Sequence, residues 1–164
     1  MLLLLYFCIA QAVNIQNTRW RVIITKILII DTDKASQKKL SRIVSGISVD
    51  TEIVMFSDIE EFSALGSKAG LDIAFLETEI GGYSGIALAS DIKRYSPNCI
   101  IIFVTSFPQH SLEAFKARPS GFVVKPFDEK DIRLELEDLR YPVNNAAYKK
   151  EKLRVVTFGG FAEI

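Results

Sequence analysis

An apolar run closed by an aspartate, KILIID (Lys26–Asp31), opens the regular part of the chain and predicts a strand buried on both faces. Leu40, Ile43, Val44 and Ile47 then recur at helical spacing, which predicts a helix from about Ala35 to Gly46. EIVMF (Glu52–Phe56) predicts a second strand. Ser57 and Glu60 have the spacing of a capping box, predicting a helix with Ile59, Phe62 and Leu65 on one face and Gly70 at its close. DIAFLE (Asp72–Glu77) predicts a third strand, and Thr78–Gly85 a glycine-rich loop. Leu88, Ile92 and Tyr95 predict a helix stopped by Pro97. CIIIFVT (Cys99–Thr105) is the most apolar strand and is expected at the centre of the sheet. A short helix from about Gln109 to Ala117 ends before Pro119. GFVVK (Gly121–Lys125) predicts the fifth strand, and Asp128–Arg140 the fifth helix, with acidic residues at its start as the helix dipole favours.

Strands alternating with helices through short loops predict an α/β fold, a parallel sheet covered on both faces. The expected form is flavodoxin-like and doubly wound, with five parallel strands in the order 2-1-3-4-5. Ligand crevices in such sheets lie beyond the carboxyl ends of the strands, and four strands here end in Asp31, Glu77, Thr105 and Lys125. Two carboxylates, a hydroxyl and an ammonium are therefore expected in one pocket.

Composition narrows the function classes. The chain has 164 residues, 49% of them hydrophobic, enough to build a core and to exclude a disordered chain. Its 20 basic and 20 acidic residues cancel, which argues against a nucleic-acid surface within these residues. Cys8 and Cys99 cannot form a disulfide framework or a zinc site, and Cys99 reads as a small buried hydrophobe. The single His110 cannot anchor a multi-histidine metal centre and is expected to be a solvated loop residue. At the amino end, the apolar stretch Leu2–Ala10 is shorter than the roughly 20 residues that span a bilayer. Its length and Ala10-Gln11-Ala12 fit a secretory signal, but the basic n-region is missing. Residues 1–25 are therefore read as a leader, disordered or following a mis-called start, with a signal peptide as the alternative. The expected location is cytoplasmic, with no membrane partner.

Residues 26–140 resemble the receiver domain of bacterial two-component response regulators. The likeness rests on Asp31-Thr32-Asp33 after the first strand, FLETEIGGYSG (Phe75–Gly85), IIFVTS with Thr105, and Phe122, Lys125 and Pro126 in the fifth strand and just beyond it. The resemblance implies phosphoryl transfer from a histidine kinase to an aspartate at the end of the third strand, assisted by Mg²⁺. It implies Lys125 as the phosphate-pairing lysine, and Thr105 and Phe122 as switch residues whose movement alters the fourth helix, fifth strand and fifth helix.

The chain departs from that pattern where the acceptor belongs. Glu77 stands there, one methylene longer than aspartate, so its carboxylate is expected close to Lys125 and Thr105. Thr32 replaces the second acid of the metal-binding pair. The implied metal set becomes Asp31, Asp33 and the backbone carbonyl of Glu79, a weakened Mg²⁺ site. Gly81 replaces the usual proline and loosens the loop. The expectation is a degenerate receiver that switches without phosphorylation and is no enzyme. Working phosphoacceptor and small-ligand sensor are the alternatives. Glu77 and Lys125 as a plain structural ion pair, Asp31 as a cap of the first helix, and Thr105 and Phe122 as packing residues stay open beside these roles.

Two surfaces point to partners. Ile132, Leu136 and Leu139 share one face of the last helix, and Leu134 lies opposite, where a homodimer through the fourth helix, fifth strand and fifth helix would use it. Residues 141–152 read as a polar linker. LRVVTFGGFAEI (Leu153–Ile164) resembles the opening strand of the DNA-binding effector in regulators of the Streptomyces antibiotic regulatory protein type. The expected partners are thus a C-terminal effector and, through it, DNA.

Overall fold

The computed structural model describes residues 25–139, apart from 48–49 and 66–69. The leader, the linker and the effector-like strand of 153–164 therefore lie outside the described residues, except that Thr25 already belongs to the first strand. Five strands, β1 (Thr25–Ile30), β2 (Thr51–Phe56), β3 (Ile73–Leu76), β4 (Ile100–Thr105) and β5 (Gly121–Val124), form one parallel sheet. Its order is β2-β1-β3-β4-β5, with β3 at the centre rather than β4. The helices are α1 (Lys34–Ile47), α2 (Ile59–Leu65), α3 (Gly85–Tyr95), α4 (Ser111–Ala114) and α5 (Glu129–Glu137). A small antiparallel hairpin pairs Glu79–Ile80 with Tyr83–Ser84 in the loop before α3.

The continuous apolar runs fill both sides of the sheet because strand side chains alternate. Leu28, Ile30, Leu76, Ile101 and Phe103 join Phe62 of α2, Ile86, Leu88 and Ile92 of α3 and Ala114 of α4 on one face. Ile27, Ile29, Phe75, Ile102 and Val104 join Leu40 and Val44 of α1 and Ile132 and Leu136 of α5 on the other. Each fully buried Ile, Leu or Phe contributes about 1.5–3 kcal/mol, so both faces are needed to hold the strands in register.

Several local expectations change. The cap of α2 is Asp58, whose Oδ1 accepts from the Glu61 N–H at 2.6 Å, and not Ser57, because the helix begins at Ile59. Tyr95 is 63% exposed at the last turn of α3, although it follows Leu88 and Ile92 at helical spacing. The helix expected over Gln109–Ala117 is four residues of α4 between two 3₁₀ turns, ended by Arg118 in the left-handed region at φ 49°. The last helix is shorter than Asp128–Arg140: Asp128 lies outside it as the N-cap of a capping box with Asp131, and Asp138 ends it.

Register then positions the site. Ile30 lies beside Leu76, Leu76 beside Phe103, and Thr105 beside Val124, so the residues following these strand ends emerge along one edge of the sheet. Among the described residues no helix is long and apolar enough to cross a membrane.

Candidate functional site

At that edge the Lys125 ammonium sits between two carboxylates. Its Nζ donates to Asp31 Oδ2 at 2.5 Å and to Glu77 Oε2 at 2.9 Å. The three side chains are only 12%, 7% and 4% exposed, so this is a buried ionic cluster and not a solvated surface pair. Burial works to lower the Lys125 pKa, but hydrogen bonds to Asp31 and Glu77, together with their charge, outweigh it. The ammonium is held above the usual lysine value.

Each carboxylate is fixed by further donors. Asp31 Oδ1 accepts from the Asp33 N–H at 2.9 Å. The buried Gln37 amide, on the first turns of α1, donates to the carbonyls of Asp31 and Phe56 and so ties the ends of β1 and β2. Glu77 Oε2 accepts from the Ser106 N–H at 3.1 Å, and Oε1 from the Thr78 N–H at 2.8 Å. Glu77 thus lies in an anion cradle of two backbone N–H groups and one ammonium, which offsets the cost of burying its charge.

Behind Glu77 runs a pair of hydroxyls. Thr78 Oγ1 is 2.8 Å from Thr105 Oγ1, and Thr105 Oγ1 accepts from the Phe107 N–H at 2.9 Å. Thr105 therefore reaches Glu77 through Thr78, and not directly as its position at a strand end led one to expect. His110 is half-buried, not a solvated loop residue: its Nδ1 is 3.1 Å from Thr78 Oγ1 and its ring stacks on Phe107 at 5.4 Å. Phe122 is half-buried beside Phe103, with ring centroids 6.3 Å apart.

The loop after Glu77 has its own constraint. Gly85 N–H donates to the Thr78 carbonyl at 2.9 Å, and a Cβ built on Gly85 would lie 1.9 Å from the Glu77 carbonyl oxygen. Only glycine allows the first turn of α3 to approach the site so closely. Thr78, Ser106, Gln37 and Gly85 all shape the site; Thr78, Gly85 and Ser106 fall inside the phrases that carry the family resemblance without a role assigned there, and Gln37 carries no sequence signal.

The residues present do not fit a Mg²⁺ ion. Asp31 Oδ2 is against the Lys125 cation and its Oδ1 holds a backbone N–H. Asp33 turns to α1, where its Oδ1 accepts from the Ala35 N–H at 2.8 Å, so Asp33 and not Asp31 caps that helix. Thr32 supplies no carboxylate, and among the described residues no group of three His, Cys, Asp or Glu residues could hold a metal. A Mg²⁺ ion here would have to compete with Lys125 for Asp31 Oδ2 and with the Ala35 N–H for Asp33 Oδ1.

Away from this edge, Leu134 on α5 is 56% exposed. Leu112 and Phe115, in and just after α4, and Val124 on β5 are exposed as well.

Comparison with known proteins agrees with this architecture. The profile of the response regulator receiver domain matches residues 27–137. Sensory transduction protein LytR of Streptococcus agalactiae is 25% identical over 117 residues, covering 70% of this chain and 48% of that protein. Transcriptional regulatory protein YpdB of Escherichia coli is 25% identical over 114 residues, covering 70% and 47%. This chain thus spans about half the length of such relatives. The response regulatory domain of protein mrkE from Klebsiella pneumoniae superposes with a TM-score of 0.63 at 28% identity, covering 70% of this chain and 94% of that domain. Response regulator DrrB of Thermotoga maritima shares the fold, with a TM-score of 0.61 at 24% identity, covering 70% and 52%.

Proposed function

The chain belongs to the response regulator receiver domain family of two-component signalling, and we propose that it is a pseudo-receiver, one that adopts its output state without phosphorylation. The carrying observation is Glu77. Its carboxylate occupies the cradle of Lys125, Ser106 N–H and Thr78 N–H, where the family would place a phosphoryl group on a shorter aspartate. It imitates that group in part, with one negative charge in place of about two. The poor fit of Asp31, Asp33 and Glu79 to Mg²⁺ supports the same reading, since the family's transfer needs the metal. Under this proposal the domain is a binding and switching module in the cytoplasm, with no catalytic residue.

The output would pass through Thr105 and Phe122 to α4, β5 and α5. Leu112, Phe115, Val124 and Leu134 supply exposed apolar area there for a second copy of the chain. The names of the relatives, a sensory transduction protein and a transcriptional regulatory protein, support control of a DNA-binding effector, for which Leu153–Ile164 carries the likeness described above. A histidine kinase partner belongs to the alternative, a working phosphoacceptor.

Intact-mass measurement after incubation with a small phosphodonor and Mg²⁺ tests the proposal. The mass is expected to stay unchanged. A stoichiometric, acid-stable but base-labile phosphoryl adduct on Glu77 would overturn it.

A further inference from the structure

We propose that His110, the chain's single histidine, is a proton-operated director of the hydroxyl chain that ends on Glu77. The proposal deepens the reading of Glu77 as a resident carboxylate and rests on it. Proton counting gives the device. Thr105 Oγ1 accepts from the Phe107 N–H and lies 2.8 Å from Thr78 Oγ1, where either hydroxyl can donate; the device operates in the arrangement in which Thr105 donates to Thr78. With Thr105 donating, the single Thr78 proton goes either to His110 Nδ1 at 3.1 Å or to Glu77 Oε1 at 3.4 Å.

The imidazole decides between them. With Nδ1 unprotonated, the nitrogen accepts and the Thr78 proton points away from Glu77. With the ring doubly protonated, Nδ1–H donates to Thr78, and the Thr78 proton turns to Glu77 Oε1. Acid therefore adds a hydroxyl donor to the Glu77 cradle and a positive charge one side chain away. No bond to carbon forms or breaks; one proton is taken up from solvent by the ring. His110 is half-buried, so solvent protons reach it, and it closes the 3₁₀ turn leading into α4, so the change is felt at that helix. The charged groups around the chain are Glu77, Lys125 and Asp31 across Thr78, and Glu113 and Lys116 on the histidine's own segment.

NMR of the full chain, labelled with ¹³C and ¹⁵N, tests this between roughly pH 5 and 8, the range in which imidazoles change charge. The Glu77 carboxyl carbon and the Thr78 amide are expected to shift with the midpoint of the His110 ring. Thr78→Val is expected to abolish the Glu77 step while His110 still titrates. A Glu77 signal that stays flat through the His110 transition overturns the proposal, as would a ring that carries its proton on Nδ1 when neutral. So does a step undiminished in Thr78→Val. If that variant does not fold, His110→Gln decides: loss of the Glu77 step supports the proposal, and its persistence overturns it. The outcome is independent of phosphodonor labelling, so the two readings fail separately.

Discussion

Replacing Lys125 by methionine keeps the aliphatic stem and removes the ammonium, leaving Asp31 and Glu77 buried without their cation. Removing one partner of a buried ion pair costs about 3–5 kcal/mol, because the remaining charge keeps its desolvation penalty. Here the upper end applies: one ammonium serves two carboxylates, and at 12%, 7% and 4% exposure water screens none of them well. Domains of this kind have total stabilities of about 5–15 kcal/mol, so the variant keeps only part of its margin. In urea, with a slope of about 2 kcal/mol/M, the midpoint followed by circular dichroism is expected to fall by about 2.5 M. Glu77→Gln in the Lys125→Met background removes one of the stranded charges and is expected to recover at least about 1 kcal/mol by double-mutant cycle. A loss below about 1 kcal/mol, the value of an exposed pair, or a cycle without coupling, would refute the buried cluster.

Gly85→Ala puts a Cβ 1.9 Å from the Glu77 carbonyl oxygen, a backbone atom that cannot give way. The expected loss is about 1–3 kcal/mol in urea, with displaced Thr78 and Ser106 amide signals. Lys125 is held above the ordinary lysine value in the fold. Its contribution is thus fully present below about pH 10.4 and is lost as pH rises through the folded value. Alkaline denaturation should show that slope in the native chain and lose it in Lys125→Met. Leu134→Glu adds a charge to an exposed apolar position on α5 and is expected to reduce self-association in sedimentation velocity. Unchanged sedimentation of an associating sample would remove Leu134 from the proposed dimer surface.

The sheet was legible because its strands are nearly uninterrupted apolar runs bounded by turn residues, a pattern that few alternatives satisfy. The convergence of Asp31, Glu77 and Lys125 followed from strand ends and topology, with no knowledge of side-chain direction. Finer features depended on that direction. Ser57–Glu60 and Asp58–Glu61 have the same capping spacing, and only the backbone entering α2 selects the second pair. The commitment of Asp33 to the Ala35 N–H arises from the turn into α1, which spacing alone does not specify. His110 meets Thr78 across 32 residues, and nothing local marks that contact. The indirect route from Thr105 to Glu77 has the same cause: Thr78 takes the hydroxyl contact first.

The central claim is that Glu77 holds the phosphoryl position and that the neighbouring acids cannot complete a metal site. Intact-mass labelling of three proteins side by side tests it most directly: the native chain, Glu77→Asp, and Glu77→Asp combined with Thr32→Asp, each with a small phosphodonor and Mg²⁺. The account expects no adduct on the native chain, little on the single variant because the Asp33 carboxylate caps α1, and one phosphoryl group on the double variant. Full labelling of the native chain, or of Glu77→Asp alone, would contradict it.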